Sequence, residues 1–231
     1  MGAMSIWTRI IDAVATLVAK GEGLIALFDR TPPERSVAFT IAVIGLGAKM
    51  AKADGRVSRA EVAAFRQVFV IAPEDEPAAA RVFNLARQDI AGYEAYAGAI
   101  ARMFRDQPAM LEDVLEGLFH VALADGAYAP VEEAFLRRVA SIFGIGDADF
   151  HAIEARQGVG RAGDPWEVLG VPRDADFATI RARWKALVKE HHPDRMIARG
   201  LPPETVRLGN ARIAAINRAW KAIADRRLET A

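Results

Sequence analysis

Cysteine is absent from this 231-residue chain. Its absence excludes a disulfide framework, a thiol nucleophile and thiolate zinc sites, and it suits a reducing compartment. Histidine is scarce, with only His120, His151, His191 and His192 available for metal or acid/base chemistry. His120 sits between Phe119 and Val121 in a helical stretch and reads as a core or groove histidine, and His151 follows Phe150 with no partner at ligand spacing. No serine–histidine–aspartate order, Walker loop or dinucleotide fingerprint is present, and Gly45-Leu46-Gly47 lacks the strand and helix such a motif requires. The chain is therefore not read as an enzyme, and no cofactor is expected. Alternating apolar and polar residues are missing as well, which argues against sheet. The longest uncharged run, Ser36–Ala48, falls short of the roughly 20 residues that cross a bilayer, and Asp12, Lys20 and Glu22 interrupt the apolar stretch Ile6–Phe28. No transmembrane helix is expected.

What the chain has in quantity is apolar residues at helical spacing. Hydrophobic residues make up 52%, enough for one or two domains with real cores. The periodicity predicts an all-α protein with helices at roughly Ser5–Lys20, Gly23–Asp29, Glu34–Lys52, Ser58–Ile71, Pro77–Asp89, Tyr93–Arg105, Pro108–Leu123, Pro130–Phe143 and Asp147–Arg156. The wide apolar stripe of Ser5–Ala19 fits either of two placements, the core of its own domain or a peripheral position on a membrane surface, and such stripes usually face cores. An internal repeat runs at an offset of 71 residues: Ala53-Asp54-Gly55 followed by Ser58 and Glu61 matches Ala124-Asp125-Gly126 followed by Ala129 and Glu132. Each copy reads as helix, turn, helix, with the glycine in a left-handed conformation, and in the first Ser58 with Glu61 forms a capping box. The second copy keeps the helix-starting proline, Pro130, and loses the capping hydroxyl.

This duplicated turn resembles that of TerB-like domains, small helical domains, over roughly residues 34–145. The resemblance implies Asp54, Glu61, Asp125 and Glu132 as candidate metal ligands. An EF-hand loop would need further oxygen ligands where Arg56 and Val57, or Ala127 and Tyr128, stand. Capping is the favoured reading of the four carboxylates, and no metal is assigned to them.

Charge balances overall, at 30 basic and 30 acidic residues, but not locally. Residues 1–163 carry 17 basic and 21 acidic side chains, leaving 13 and 9 for residues 164–231. A small surplus of this kind fits an acidic protein surface better than nucleic acid, which would call for a denser patch. The glycine-rich stretch 157–163 reads as a flexible linker between a domain at 5–156 and a second at 164–231. In the second, Asp164-Pro165 opens a short helix ending at Gly170, and Asp174 is the expected N-cap of a longer helix, Ala175–His191. Phe177, Ile180, Trp184, Leu187 and Val188 share one of its faces; Lys185 and Lys189 lie opposite, and Arg181 and Arg183 flank the stripe. Pro193 stops the helix, a loop Pro193–Leu201 follows, and Pro202-Pro203-Glu204 opens a third helix with Ile213, Ile216, Trp220 and Ile223 on one side. Two antiparallel helices facing through these stripes leave His192-Pro193-Asp194 exposed at the tip.

Asp164-Pro165-Trp166-Glu167-Val168-Leu169-Gly170, Ile180-Arg181, Trp184-Lys185, His192-Pro193-Asp194-Arg195 and Ala215-Ile216-Asn217 together resemble a J domain, the signature module of DnaJ-like co-chaperones, over residues 164 to about 227. The order of the two domains resembles one subfamily in particular, the membrane-anchored DnaJ-like co-chaperones that pair a TerB-like domain with a C-terminal J domain. The resemblance implies a DnaK-type chaperone ATPase as partner, stimulation of that partner's ATP hydrolysis, and a cytoplasmic location at the inner face of the membrane. His192, Pro193 and Asp194 would dock, with Arg181, Arg183, Lys185 and Lys189 steering the encounter, while the TerB-like domain supplies targeting or ligand binding. The rival reading is a stress-response scaffold whose TerB-like domain binds metal, membrane or a partner beside a vestigial J domain.

Overall fold

The structure, a computed structural model, describes residues 9, 10, 12, 35–53, 76–88, 92–126, 128–159, 164–201 and 205–229. Every regular element among them is helical, so the fold is all-α. They are α1 (Arg35–Ala53), α2 (Glu76–Gln88), α3 (Tyr93–Met103), α4 (Pro108–Ala122), α5 (Pro130–Phe143), α6 (Asp147–Arg156), α7 (Pro165–Leu169), α8 (Phe177–Glu190), α9 (Pro193–Arg199) and α10 (Val206–Glu229), with a 3-10 turn at Leu123–Asp125. The helices expected at Ser58–Ile71 and Gly23–Asp29, and all but three residues of the one at Ser5–Lys20, lie outside the described residues. Ile10, from the apolar stripe of that last segment, is fully buried.

The chain forms two compact units, one of Met1–Gly144 with Arg199–Thr205, the other of Ile145–Ala198 with Val206–Ala231. In the first, α1 packs against α2, α3, α4 and α5. The uncharged run explains this central position. Every residue from Phe39 to Met50 is buried, and a helix apolar all round gains most in the middle of a bundle. Close approach is written into it at Gly45, where a β-carbon would lie 3.0 Å from Cε1 of Tyr96. Lys49, the charge at the end of this buried stretch, sets its ammonium 5.1 Å from the centroid of the same ring, which eases the cost of removing it from water. Around α1 the apolar faces of α4 (Met110, Val114, Leu115, Leu118) and α5 (Phe135, Leu136, Val139) complete the core. Tyr93 and Phe135 join α3 to α5 with ring centroids 4.5 Å apart. Arg199 belongs to this unit, where it donates from Nη2 to Oδ2 of the buried Asp113 at 2.7 Å.

In the second unit α8 and α10 run antiparallel, α7 lies across both, and α6 packs on α7 and α10. Val168, Leu169, Ile180, Leu187, Ile216, Ala219 and Ile223 form its core together with Ala155 of α6. Burial of an Ile or Leu side chain contributes roughly 1.5–3 kcal/mol, so these few residues carry most of the stability of a small unit. Trp184 and Trp220 stack with centroids 4.8 Å apart and planes at 10°, and Phe177 extends the stack at 5.1 Å from Trp220. Nε1 of Trp184 donates to Oδ1 of Asn217 at 2.9 Å, satisfying the polar edge of a half-buried ring.

Candidate functional site

The caps decide where the site-bearing helices begin. Asp164 accepts from the backbone N–H of Trp166 at 3.2 Å and opens α7, which Gly170 ends with φ +63°. α8, however, begins at Phe177 and is capped by Asp176, not by Asp174. The reason is Thr179: its backbone N–H donates to Asp176 Oδ1 at 2.8 Å and its hydroxyl to Oδ2 at 2.6 Å, a pair of bonds that no described contact of Asp174 matches. These bonds, the side-chain one first, hold the Asp176 carboxyl below the usual carboxylate range.

At the other end His191 closes α8, its N–H donating to Leu187 O at 2.9 Å. The segment after it is not a loop. Pro193–Arg199 is a helix, α9, because Pro193 stops one helix and is also suited to the first position of the next. His192 caps it. Its carbonyl accepts from Arg195 N and Met196 N, and its ring Nδ1 accepts from Asp194 N at 3.2 Å. That bond requires a lone pair on Nδ1, which leaves Nε2 as the donor nitrogen of the ring. Nδ1 lies 3.6 Å from Asp194 Oδ2, beyond hydrogen-bond distance, and the side chains of His192 and Asp194 are 52% and 86% exposed. An N–H donor and a carboxylate thus stand side by side on a rigid turn.

Of the four cations expected beside this turn, three lie on one strip. Arg181, Lys185 and Lys189 follow one another at four-residue steps along α8, all exposed, and lead to the turn. Arg195 lies next to the strip, its Nη1 donating to Lys189 O at 3.4 Å. Arg183 faces the other way: it is half-buried and its Nε donates to Leu169 O at 3.2 Å, tying α8 to the end of α7.

Among the candidate carboxylates in the first unit, Asp54 and Glu61 lie outside the described residues. Asp125 sits in the 3-10 turn that Gly126 closes with φ +82°. Glu132 Oε2 accepts from the N–H of Ala129 at 2.8 Å, so this carboxylate caps the start of α5 where alanine has no side chain to do so. No group of three or more histidine, aspartate or glutamate side chains gathers at metal-binding distance among the described residues. Among those residues, too, no helix is long and apolar enough to cross a membrane.

The support behind the turn has no counterpart in the sequence motifs. His191 is buried, and its Nδ1 lies 2.6 Å from Nη1 of Arg212, itself buried on α10. Two histidines side by side therefore have opposite roles, one facing inward and one outward.

The described residues thus form two all-α units, the second a helical hairpin with an exposed His-Pro-Asp turn and a basic strip beside it. The chain belongs to the TerB family: the family described as "Tellurite resistance protein TerB" matches residues 40–155. Its similarity to proteins named "Co-chaperone protein DjlA" extends further, at 24% identity over 95% of this chain and 97% of the Escherichia coli O6:H1 protein. The Coxiella burnetii protein of that name is 29% identical over 75% of this chain and 72% of its own length. The Escherichia coli K12 protein is 31% identical over 47% of this chain and 49% of its own. The chain is thus DjlA-like with a TerB domain. No solved structure matches it significantly. The TerB match includes α6 up to residue 155, although α6 packs within the second unit.

Proposed function

We propose that this chain is a co-chaperone that binds a DnaK-type chaperone ATPase through its C-terminal J domain and stimulates the partner's ATP hydrolysis. Similarity to co-chaperones over nearly the whole chain supports the class. The observation that carries the mechanism is the exposed pair His192 and Asp194, held 3.6 Å apart at the end of the basic strip. Arg181, Lys185 and Lys189 attract an acidic surface and raise the association rate. Asp194 then offers its carboxylate to a cationic donor, His192 its Nε2–H to an acceptor, and Pro193 fixes the spacing between them. These contacts favour hydrolysis to the extent that they form better with the hydrolysis-competent conformation of the partner than with its resting one. The hydrolytic chemistry belongs to the partner.

In this proposal residues 5–156 are the TerB-like domain, 157–163 the linker and 164–231 the J domain. The TerB-like domain provides targeting or partner binding, and the protein works in the cytoplasm at the membrane's inner face. The test is single-turnover ATP hydrolysis by a DnaK-type chaperone. Wild-type chain accelerates it, and His192→Gln or Asp194→Asn removes the acceleration while leaving the protein folded. Absence of acceleration by the wild-type chain would sink the proposal.

A further inference from the structure

Among the described residues, one bond fixes the two groups offered to the partner locally, from Asp194 N to the His192 ring. The turn's rigidity must come from its flanks, and both flanks are buried. His191 immediately before the turn and Met196 two residues after Asp194 are each 1% exposed. Both meet the same helix. His191 Nδ1 faces Arg212 Nη1 at 2.6 Å, and a guanidinium can only donate, so Nδ1 is the acceptor in this contact. Met196 lies over Gly209, where a β-carbon would stand 2.5 Å from its Sδ and 3.5 Å from Cγ of Pro193. Gly209 and Arg212 are three residues apart on α10 and so project from one face. The glycine is not there for its backbone conformation, since it lies within a regular helix. It is there for the space.

We infer that Gly209 and Arg212 are positioning residues for the His192–Asp194 turn, acting through Met196 and His191. α10 braces the turn from behind at two points: Gly209 lets Met196 and Pro193 seat closely, and Arg212 holds the ring that ends α8. Neither residue is offered to the partner, because Gly209 and Arg212 are both buried. They set where His192 and Asp194 stand in relation to the basic strip. A displacement of about 1 Å at a reacting or docking group costs up to roughly a hundredfold in rate, so the brace controls the strength of stimulation and not the encounter. This inference rests on the proposed co-chaperone role for its functional consequence, and on the geometry of the second unit alone for the brace.

The experiment uses the full chain and compares Gly209→Ala, Met196→Ala, the double variant Gly209→Ala/Met196→Ala, Arg212→Leu and Arg212→Lys. Maximal stimulation and the half-saturating concentration are measured in single-turnover ATP hydrolysis, and the Asp194 amide and His192 ring resonances by NMR. Gly209→Ala and Arg212→Leu are expected to lower maximal stimulation by roughly tenfold to a hundredfold, while half-saturation moves much less because the strip is untouched. Met196→Ala, which removes the side chain seated on Gly209, is expected to lower maximal stimulation itself, so adding Gly209→Ala in the double variant should cause no further loss, while Arg212→Lys, which keeps a donor, should recover most of the loss seen in Arg212→Leu. Should Arg212→Leu fail to fold, Gly209→Ala and the dependence of its effect on Met196 decide the matter. Wild-type stimulation and unmoved resonances in Gly209→Ala overturn the inference. A wild-type chain without stimulation refutes the co-chaperone role, and the brace then stands or falls on whether the resonances shift in Gly209→Ala but not between Met196→Ala and the double variant.

Discussion

Replacing Arg181, Lys185 and Lys189 together by alanine, and Arg183 alone in a second variant, separates two roles that share one basic helix. The first three are exposed at four-residue steps, so in the proposed complex each would act on the partner through solvent-screened charge. Exposed ion pairs contribute about 0.2–1 kcal/mol each, which for three amounts to roughly 0.6–3 kcal/mol, or about threefold to more than a hundredfold in half-saturation. No described contact within the chain depends on their charge, so the melting temperature should hold. Arg183 is half-buried and donates to Leu169 O at 3.2 Å; its loss removes one hydrogen bond of about 0.5–1.5 kcal/mol and the packing of its stem. In a unit of this size each kcal/mol lowers the melting temperature by about 4–8 °C. Three of the four tryptophans, Trp166, Trp184 and Trp220, belong to the second unit, so intrinsic fluorescence reads that transition. The assay is ATP hydrolysis by the partner at two ionic strengths beside a fluorescence melt. The triple variant should lose affinity and most of its salt dependence at constant stability, whereas Arg183→Ala should lose stability and keep its salt dependence. Equal salt dependence in wild type and triple variant, or a triple variant that melts early while Arg183→Ala does not, would refute the assignment.

Other outcomes follow from the caps and turns. Asp176 has a folded-state pKa below its unfolded value, so the stability it confers is fully present above about pH 4 and is lost as pH falls through the lowered folded value. Asp176→Ala should therefore abolish an acid-side loss of stability in the second unit, read as a difference between the two pH–melting profiles below pH 4. Gly126 has φ +82° and no atom within 4 Å of where a β-carbon would stand, so Gly126→Ala should cost only the backbone penalty of about 1 kcal/mol, measured by denaturant unfolding. Because Glu132 is engaged in capping α5, calorimetric titration with millimolar Ca²⁺, Mg²⁺ or Zn²⁺ is expected to show no binding heat, and Glu132→Gln to change no metal response.

Features set by near neighbours in the chain were legible in the sequence. Asp164-Pro165 opened α7, the apolar stripes of α8 and α10 faced each other through Ile180, Leu187, Ile216 and Ile223, and the uncharged run 36–48 became the buried centre of the first unit. Features that turn on a choice between similar candidates were read less well. Asp174 and Asp176 are equivalent caps until Thr179 is counted, and a proline that ends α8 also begins α9. What turns on one particular polar or close contact between distant segments was not legible. Whether Arg183 steers a partner or ties down α7 depends on a carbonyl 14 residues away, and the His191–Arg212 contact spans 21 residues. Gly209 looks in the sequence like a weak point in a helix, and its reason appears only when Met196 lies across it.

The central claim is that the exposed His192–Pro193–Asp194 turn switches on hydrolysis in another protein. Single-turnover hydrolysis of ATP prebound to a DnaK-type chaperone, with wild-type chain and with Asp194→Asn, tests it most directly. The account predicts clear acceleration by the wild type and none by the variant at equal stability. Acceleration by both, or by neither, would contradict it.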